Sequence, residues 1–152
     1  MNKLYIAYGS NLHRAQMEYR CPGAKVIAKS QLHDYRLVFQ GNRLGAHANV
    51  IPEEGQDVPV VVWEITDQDE KRLDIYEGVA GGYYTKEYLT IEVDGEMKEA
   101  LIYIMTPHLY GIPSDSYLRT IDEGYTDFNF DEKILNQAVQ HAYAHLPRRK
   151  AQ

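Results

Sequence analysis

Five consecutive residues near the start of the chain, Tyr8-Gly9-Ser10-Asn11-Leu12, are of the types that bind an anion. A strand that ends in Gly-Ser-Asn and turns into a helix directs several backbone N–H groups the same way, and such a nest holds a carboxylate or another anion. An ordinary turn with a serine or asparagine cap explains the same residues. A serine nucleophile is not indicated, because the G-x-S-x-G motif requires glycine where this chain has Leu12.

The second candidate is Glu77, which lies between a predicted helix and Gly78. If Gly78 ends the helix in the left-handed conformation, Glu77 lies at the negative end of the helix dipole. The nearby Tyr76, Tyr83 and Tyr84 would exclude water from its carboxylate. Both effects raise the pKa of a carboxyl group and make it a better general acid or base near neutral pH. A solvated glutamate near a helix end is the alternative interpretation.

Three other reactive side chains carry a weaker signal. His141 and His145 have the i, i+4 spacing that can hold a metal on a helix, but no cysteine or carboxylate is near, which favours a packing or surface role. Cys21 lies in a Cys-Pro-Gly turn, which indicates a structural residue rather than a thiol nucleophile. The glycines have the wrong spacing for a nucleotide-binding loop. We therefore expect neither a metal nor a cofactor.

The composition excludes several classes of protein. The chain has 152 residues, with 16 Lys and Arg against 22 Asp and Glu, and a formal net charge of −6. Nucleic acids and anionic membranes require a basic face, so neither is expected as a partner. A single cysteine allows no disulfide, and no apolar run approaches the roughly 20 residues of a membrane span. Length and the lack of repeats or linkers predict one domain over residues 1–152, whose oligomeric state the sequence leaves open. The lack of a signal-peptide core and of a membrane span predicts a cytoplasmic protein.

The candidate residues must be positioned by a folded scaffold. The apolar patterns and the turn residues predict that this scaffold has an α+β fold. Its core is a small curved, mostly antiparallel sheet or barrel of about six strands with flanking helices, and Asp94-Gly95 is the clearest hairpin signal. The expected strands are 3–8, two strands within 25–40, 47–51, 58–65, 84–93 and 96–105. The expected helices are 12–20, about 67–76, 115–124 and 131 to just before Pro147, followed by the charged tail Arg148-Arg149-Lys150.

The order of the motifs along the chain resembles that of the γ-glutamylcyclotransferase superfamily, whose plant and bacterial members are often called AIG2-like. The likeness covers nearly the whole chain. Its segments are Tyr8-Gly9-Ser10-Asn11-Leu12, Leu32-His33-Asp34-Tyr35-Arg36-Leu37-Val38-Phe39, Val61-Val62-Trp63, Leu73-Asp74, Glu77-Gly78-Val79, Gly82-x-Tyr84, Tyr103-x-Met105-Thr106, Pro113-Ser114-x-x-Tyr117, Ile121 and Gly124. The loop alone is moderately specific, and its combination with Glu-Gly-Val and the downstream tyrosines is strong.

This resemblance implies a cavity at the end of the first strand. It implies that the Gly9-Ser10-Asn11-Leu12 backbone binds the α-amino-acid end of a γ-glutamyl group, that Glu77 is the proton shuttle, and that Tyr8, Tyr84 and Tyr117 line the pocket. The partner is then a small γ-glutamyl molecule. Intact glutathione is a less favoured substrate, because the glutathione-specific branch of the superfamily has a Tyr-Gly-Ser-Leu loop that this chain lacks.

The chemistry implied by this resemblance agrees with the lack of a credible nucleophile. A γ-glutamyl compound carries its own nucleophile, the α-amine, and ring closure on the γ-carbonyl gives 5-oxoproline and a free amine or amino acid. One carboxylate can perform both proton transfers, which is worth roughly 10²–10⁴ in rate. A cyclotransferase for γ-glutamyl amines or tagged metabolites is an alternative enzyme. A non-catalytic carboxylate-binding module and a structural interaction domain are alternatives of other classes.

The aromatic composition is unusual, with 13 Tyr against 3 Phe and 1 Trp. Buried tyrosine hydroxyls need hydrogen-bond partners, and polar cavities use them readily. We expect Tyr8, Tyr84 and Tyr117 to have a functional role. Strand positions predict that Tyr5, Tyr35, Tyr88 and Tyr103 are packing residues.

Overall fold

A mixed sheet of five strands with four α-helices is formed by residues 2–147, the part of the chain that the computed structural model describes. The predicted charged tail, residues 148–150, lies outside that part. The strands are β1 Lys3–Ala7, β2 Lys25–Gln40, β3 His47–Ile65, β4 Tyr84–Val93 and β5 Glu96–Met105. The helices are a 3-10 helix Ser10–Leu12, α1 Arg14–Arg20, α2 Asp67–Tyr76, α3 Asp115–Asp127 and α4 Glu132–Ala144.

The strand order is β2-β3-β1-β5-β4, which makes β1 the central strand. β1 pairs antiparallel with β3 and parallel with β5, while β2 with β3 and β4 with β5 are antiparallel pairs. The apolar side chains of a central strand are covered on both faces, and Ile6 and Ala7 are accordingly buried. The α+β prediction is confirmed, and the carboxyl end of β1 lies in the middle of the sheet.

The number of strands was predicted wrongly, because two long strands were divided. Residues 25–40 form one strand rather than two, and residues 47–51 and 58–65 belong to the single strand β3. Residues 52–57, Pro-Glu-Glu-Gly-Gln-Asp, lack an apolar pattern, yet they belong to β3. Pro52 pairs with Tyr35 and Asp57 with His33 of β2, so the ladder continues outside the core on both sides of an irregularity at 53–56. The β2–β3 ladder has a bulge at Asp34, where φ is +63°. The carboxylate of Asp34 accepts a hydrogen bond from the N–H of Gly55 at 2.9 Å.

The sheet is curved but does not close into a barrel. β2 and β4 stand at opposite ends of the strand order and form no ladder with each other. The hydroxyl of Ser30 on β2 nevertheless donates to the carbonyl of Glu92 on β4 at 2.7 Å, so the two edges lie close. Of the two architectures predicted, the curved open sheet is the one observed.

Helices cover the sheet and carry the two candidate motifs. The helix α2 begins at a capping box in which Thr66 and Asp69 exchange side-chain to backbone hydrogen bonds, and it buries Leu73. The helix α4 packs the predicted apolar stripe, with Leu135, Ala138 and Ala142 buried. Within residues 2–147, no helix is long and apolar enough to cross a membrane.

Candidate active site

A cavity of about 160 Å³ lies where β1 ends, between the 3-10 helix, the end of α2 and the start of β3. Seven of its 14 lining residues are tyrosines, which accounts for a large part of the tyrosine surplus. The structure brings together seven of the eight predicted site residues on its wall. Those seven are Tyr8, Gly9, Ser10, Asn11, Glu77, Tyr84 and Tyr117.

The loop after β1 has backbone N–H groups that make no hydrogen bond to residues 2–147. The N–H of Leu12 donates to Gly9 O at 3.0 Å, and that of His13 donates to Ser10 O at 3.1 Å, which closes the turn. No acceptor among residues 2–147 takes the N–H groups of Gly9, Ser10 or Asn11. Because Gly9 and Ser10 line the cavity, their amides are available to an anion or a polarised carbonyl.

Gly9 is required by close contacts on the cavity wall. A Cβ at this position would lie 3.1 Å from the Cβ of Ala48 and 3.6 Å from the hydroxyl of Tyr117. Its φ of −123° and ψ of −129° also lie outside the regions that residues with a side chain favour. Glycine therefore allows the loop to lie against the start of β3.

Leu12 is the predicted site residue that does not line the cavity. Its side chain is fully buried, and its N–H closes the turn on Gly9, so it supports the loop from within the core. The adjacent Asn11 is also buried, and its amide connects two elements. Its Nδ2 donates to the hydroxyl of Tyr5 at 2.9 Å, while its Oδ1 accepts from Arg20 at 2.7 Å.

Glu77 is the C-cap of α2, and the next residue, Gly78, has the predicted left-handed conformation with φ of +62°. Burial raises the pKa of Glu77 from 4.5 to about 7, although the positive charge of Arg20 acts in the opposite direction. No lysine, arginine or histidine within residues 2–147 forms an ion pair with this carboxylate. A carboxyl group that titrates near pH 7 is suited to taking up and returning a proton.

The three predicted tyrosines are all engaged with the backbone. The hydroxyl of Tyr8 donates to Tyr103 O at 2.7 Å, and that of Tyr84 donates to Ala48 O at 2.6 Å. The hydroxyl of Tyr117 instead accepts from Ala48 N at 3.0 Å, so its own hydrogen remains free to donate. Tyr84 and Tyr117 thus hold the carbonyl and the N–H of the same β3 residue, Ala48, and of the three tyrosines only Tyr117 retains a donor for a ligand.

Several cavity residues were not identified from the sequence. Tyr5 and Tyr103 lie in strands as predicted, but both line the cavity in addition to packing on each other, with ring centres 5.8 Å apart. Arg20 also lines the cavity, although an arginine in the last turn of a helix is common for dipole reasons and carries no functional signal.

His47 forms a further part of the wall that the sequence did not reveal, and it contacts Tyr83, which was predicted to lie near Glu77 and lines the same cavity. The Nδ1 of His47 and the hydroxyl of Tyr83 are 3.1 Å apart, and the ring of His47 lies edge-on to Tyr117. Burial lowers the pKa of His47 below its usual value. Only the three-dimensional meeting of the β3 start with the loop after α2 could have identified this pair.

The cysteine and the two histidines set aside on sequence grounds do not line the cavity. Cys21 is fully buried, and burial raises the pKa of its thiol to about 12, which disfavours the nucleophilic thiolate. The rings of His141 and His145 stack on each other at 4.0 Å. Within residues 2–147, no three metal-ligating side chains of the His, Cys, Asp and Glu types gather at one place.

Comparison with known proteins places these features in a family. The family model described as "Gamma-glutamyl cyclotransferase, AIG2-like" matches residues 5–124. The gamma-glutamylcyclotransferases of Homo sapiens and Bos taurus are each 32% identical to this chain over 129 residues, which are 80% of this chain and 69% of theirs. A solved structure of a gamma-glutamyl cyclotransferase superposes with a TM-score of 0.78 at 24% identity, covering 100% of this chain and 92% of that one. The resemblance inferred from the motifs is therefore confirmed.

Proposed function

From the premise that this chain belongs to the gamma-glutamyl cyclotransferase, AIG2-like family, we propose that it converts a γ-glutamyl compound into 5-oxoproline and a free amine or amino acid. The single observation that carries the catalytic assignment is Glu77, a carboxyl group with a pKa near 7 that lines the cavity beside the loop N–H groups. Among residues 2–147, no cation forms an ion pair with it and no acceptor takes those N–H groups. The reaction proposed needs no metal or organic cofactor, and we place it in the cytoplasm.

Proton transfer is the role that we assign to Glu77. Ring closure forms a bond between the α-nitrogen and the γ-carbon and breaks the bond from that carbon to the leaving nitrogen. The α-ammonium loses two protons and the leaving nitrogen gains two, so a single shuttle that is restored after each transfer is sufficient. A carboxyl group with a pKa near 7 both accepts and returns protons at neutral pH.

The loop and Tyr117 supply the hydrogen bonds that we assign to substrate. Attack on the γ-carbonyl concentrates negative charge on its oxygen, and prealigned donors stabilise that charge most in a site that excludes water. On this wall, the N–H groups of Gly9 and Ser10 and the hydroxyl hydrogen of Tyr117 are donors that no acceptor among residues 2–147 takes. We propose that these donors divide between the reacting carbonyl and the carboxylate of the γ-glutamyl group.

The walls of the cavity are also suited to an intramolecular reaction. A cavity of about 160 Å³ holds a small substrate in few conformations, and the folded conformer brings the α-amine to the γ-carbonyl. Tyr8, Tyr84 and Tyr103 are held by hydrogen bonds to other parts of the chain, so these walls are rigid. Selection of the ring-closing conformer supplies several kcal/mol toward the barrier.

The proposal is tested by Glu77→Gln, which keeps the size and polarity of the side chain but cannot transfer a proton. Wild type and variant are incubated with a panel of γ-glutamyl dipeptides and γ-glutamyl amines, and 5-oxoproline is measured by mass spectrometry. We expect a loss of about 10²-fold or more in kcat with little change in KM. Glu87→Gln, at an exposed glutamate of β4, is the matched control.

Two outcomes would contradict the proposal in different ways. Wild-type rates from a correctly folded Glu77→Gln variant would remove Glu77 from the mechanism. Thermal stabilisation by 5-oxoproline without turnover of any panel member would instead support the non-catalytic binding module. The panel also decides between γ-glutamyl amino acids and γ-glutamyl amines as substrates.

A further inference from the structure

Arg20 is a permanent cation on the cavity wall for which the acid–base chemistry has no use. It ends α1 and is half-buried, with its Cζ 4.3 Å from the centre of the Tyr76 ring. No carboxylate of residues 2–147 forms an ion pair with it. A half-buried guanidinium that lacks an anionic partner is ready to pair with one from a ligand.

Neutral side chains hold this guanidinium in place beside the loop. Its Nη1 donates to Asn11 Oδ1 at 2.7 Å and to Ser10 Oγ at 3.3 Å. When the amide oxygen of Gln16 faces Arg20, it accepts from Nε at 3.2 Å and also from Nη2. These contacts orient the group without neutralising its charge, and they leave one N–H of Nη2 without an acceptor in the described part of the chain.

The position of Arg20 matches that of the unclaimed backbone donors. Ser10 and Asn11 contribute side chains to Arg20, and their own N–H groups have no protein acceptor among residues 2–147. One short loop therefore presents backbone N–H groups next to a full positive charge. Guanidinium and N–H donors in combination are the groups that recognise a carboxylate.

We propose that Arg20 is a specificity-determining residue that binds a carboxylate of the substrate, an inference that rests on the proposed function. Every γ-glutamyl compound carries an α-carboxylate, and 5-oxoproline keeps it. A γ-glutamyl amino acid carries a second carboxylate on its leaving group. Both sources have the same chemistry, and the experiment below distinguishes them.

The first measurement is binding of 5-oxoproline, compared with 2-pyrrolidinone, the same ring without the carboxylate. Calorimetric titration of wild type, Arg20→Gln and Arg20→Lys requires no turnover. We expect Arg20→Gln to weaken 5-oxoproline binding by roughly 10- to 100-fold, as for a lost charge-assisted hydrogen bond. Arg20→Lys should recover part of the affinity, and 2-pyrrolidinone should bind all three proteins equally weakly.

Arg14→Gln provides the matched control. Arg14 also lies on α1 and has its Cζ 4.4 Å from the ring centre of Phe128, but it does not line the cavity. A purely structural role of a stacked arginine would make the two glutamine variants alike. If Arg20→Gln does not fold, Arg20→Lys carries the test, because the lysine keeps the charge but loses the geometry of the guanidinium.

The second measurement locates the carboxylate through KM values for a γ-glutamyl dipeptide and a γ-glutamyl amine. Equal increases in Arg20→Gln assign Arg20 to the α-carboxylate, and an increase confined to the dipeptide assigns it to the leaving group. Unchanged 5-oxoproline affinity together with unchanged KM for both substrates would overturn the inference and leave the proposed function intact. Failure of wild type to bind or form 5-oxoproline would count against the proposed function itself.

Discussion

Glu77 differs from the other carboxylates on the same face of α2, because it forms no ion pair with any of residues 2–147. Glu70, Asp74 and Glu77 are spaced by four and three residues, which places them on one face of the helix. Glu70 pairs with Lys3 at 2.8 Å and with Lys86, and Asp74 pairs with Lys86 at 3.1 Å. Within the described residues, Glu70 and Asp74 are thus paired with lysines, whereas Glu77 is not and lines the cavity.

The charge of Glu77 also reaches the surrounding hydroxyls. Burial is the main cause that raises the pKa of Tyr5, Tyr8 and Tyr83, and the negative charge of Glu77 adds to it. Both effects keep the phenols protonated, so they act as hydrogen-bond donors or neutral walls rather than as bases. Acid–base work near pH 7 therefore falls to the carboxyl group of Glu77.

The raised pKa of Glu77 makes stability depend on pH in a defined direction. Its pKa is about 7 in the folded chain against 4.5 for an ordinary glutamate. Between these values the folded chain holds a proton that the unfolded chain has released, so the free energy of unfolding decreases as pH rises and stays lower above pH 7. Because glutamine does not ionise, we expect Glu77→Gln to be more stable than wild type at pH 8, by about 1–3 kcal/mol.

Thermal denaturation at pH 5 and pH 8 measures this effect independently of any substrate. The difference between Glu77→Gln and wild type should be several-fold smaller at pH 5 than at pH 8, because pH 5 lies just above the ordinary glutamate pKa of 4.5, where the linkage term has only begun to develop. Glu87→Gln should show no such dependence. An advantage of Glu77→Gln that is equal at the two pH values would show that packing rather than ionisation is responsible.

Among single residues, the sequence was most informative for those that lie at or beside a predicted turn. Gly9, Ser10 and Glu77 stand beside turn residues that predict their backbone conformation, and the structure brings all three to one cavity. Arg20 and His47 gave no such signal, because a helix-ending arginine and a strand histidine are common. Their importance depends on contacts between distant segments, which no local pattern encodes.

At the scale of elements, the loop that carries Ser10 and Asn11 is positioned by α3. The helix approaches so closely that a Cβ on Gly124 would lie 2.7 Å from the Cβ of Leu12 and 3.0 Å from the nitrogen of His13. Leu12 thereby supports the site without touching the cavity. The helix prediction for 115–124 ended before the true end at Asp127, yet it included the glycine that permits this contact.

Gly124→Ala should therefore disturb both folding and binding. Alanine is favoured over glycine in a helix by up to about 1 kcal/mol, but the clash with main chain and a Cβ cannot be relieved by a flexible side chain. We expect a net loss of about 1–3 kcal/mol in urea denaturation, together with a several-fold increase in KM for the best γ-glutamyl substrate. Ser116→Ala, at an exposed position of α3, is the control. Wild-type stability and KM in Gly124→Ala would show that the loop does not depend on this contact.

The strand boundaries illustrate where a sequence pattern loses its information. Apolar alternation reports burial, so the buried halves of β3 were recognised and its polar middle was interpreted as a loop. That middle is part of a long arm with β2, whose ladder is held by backbone hydrogen bonds and by His33 with Asp57 at 2.7 Å. Patterns therefore predicted the core segments of the strands and missed their solvent-exposed continuation.

In the whole molecule, the cavity lies away from the place where the two edge strands, β2 and β4, come close together. We call this contact between the edge strands the seam. The cavity includes Tyr84 at the start of β4, whereas the bond from Ser30 to Glu92 crosses the seam near the end of the same strand. The two positions are eight residues apart, which is roughly 26 Å along an extended strand. Stability that arises at the seam is thus expected to be independent of catalysis.

Ser30→Ala tests this separation. The substitution leaves the carbonyl of Glu92 without its side-chain donor, so we expect the free energy of unfolding to fall by about 0.5–1.5 kcal/mol. Amide hydrogen exchange should become faster along β2 and β4, which have no ladder between them to compensate. The value of kcat/KM for the best γ-glutamyl substrate should be unchanged, because the loop, Glu77 and the tyrosine walls keep their contacts.

Thr90→Val, which removes an exposed hydroxyl of β4 that makes no seam bond, is the control. A fall in kcat/KM that accompanies the loss of stability would mean that the sheet transmits strain from its open edge to the cavity, and that the two ends of the molecule act as one unit.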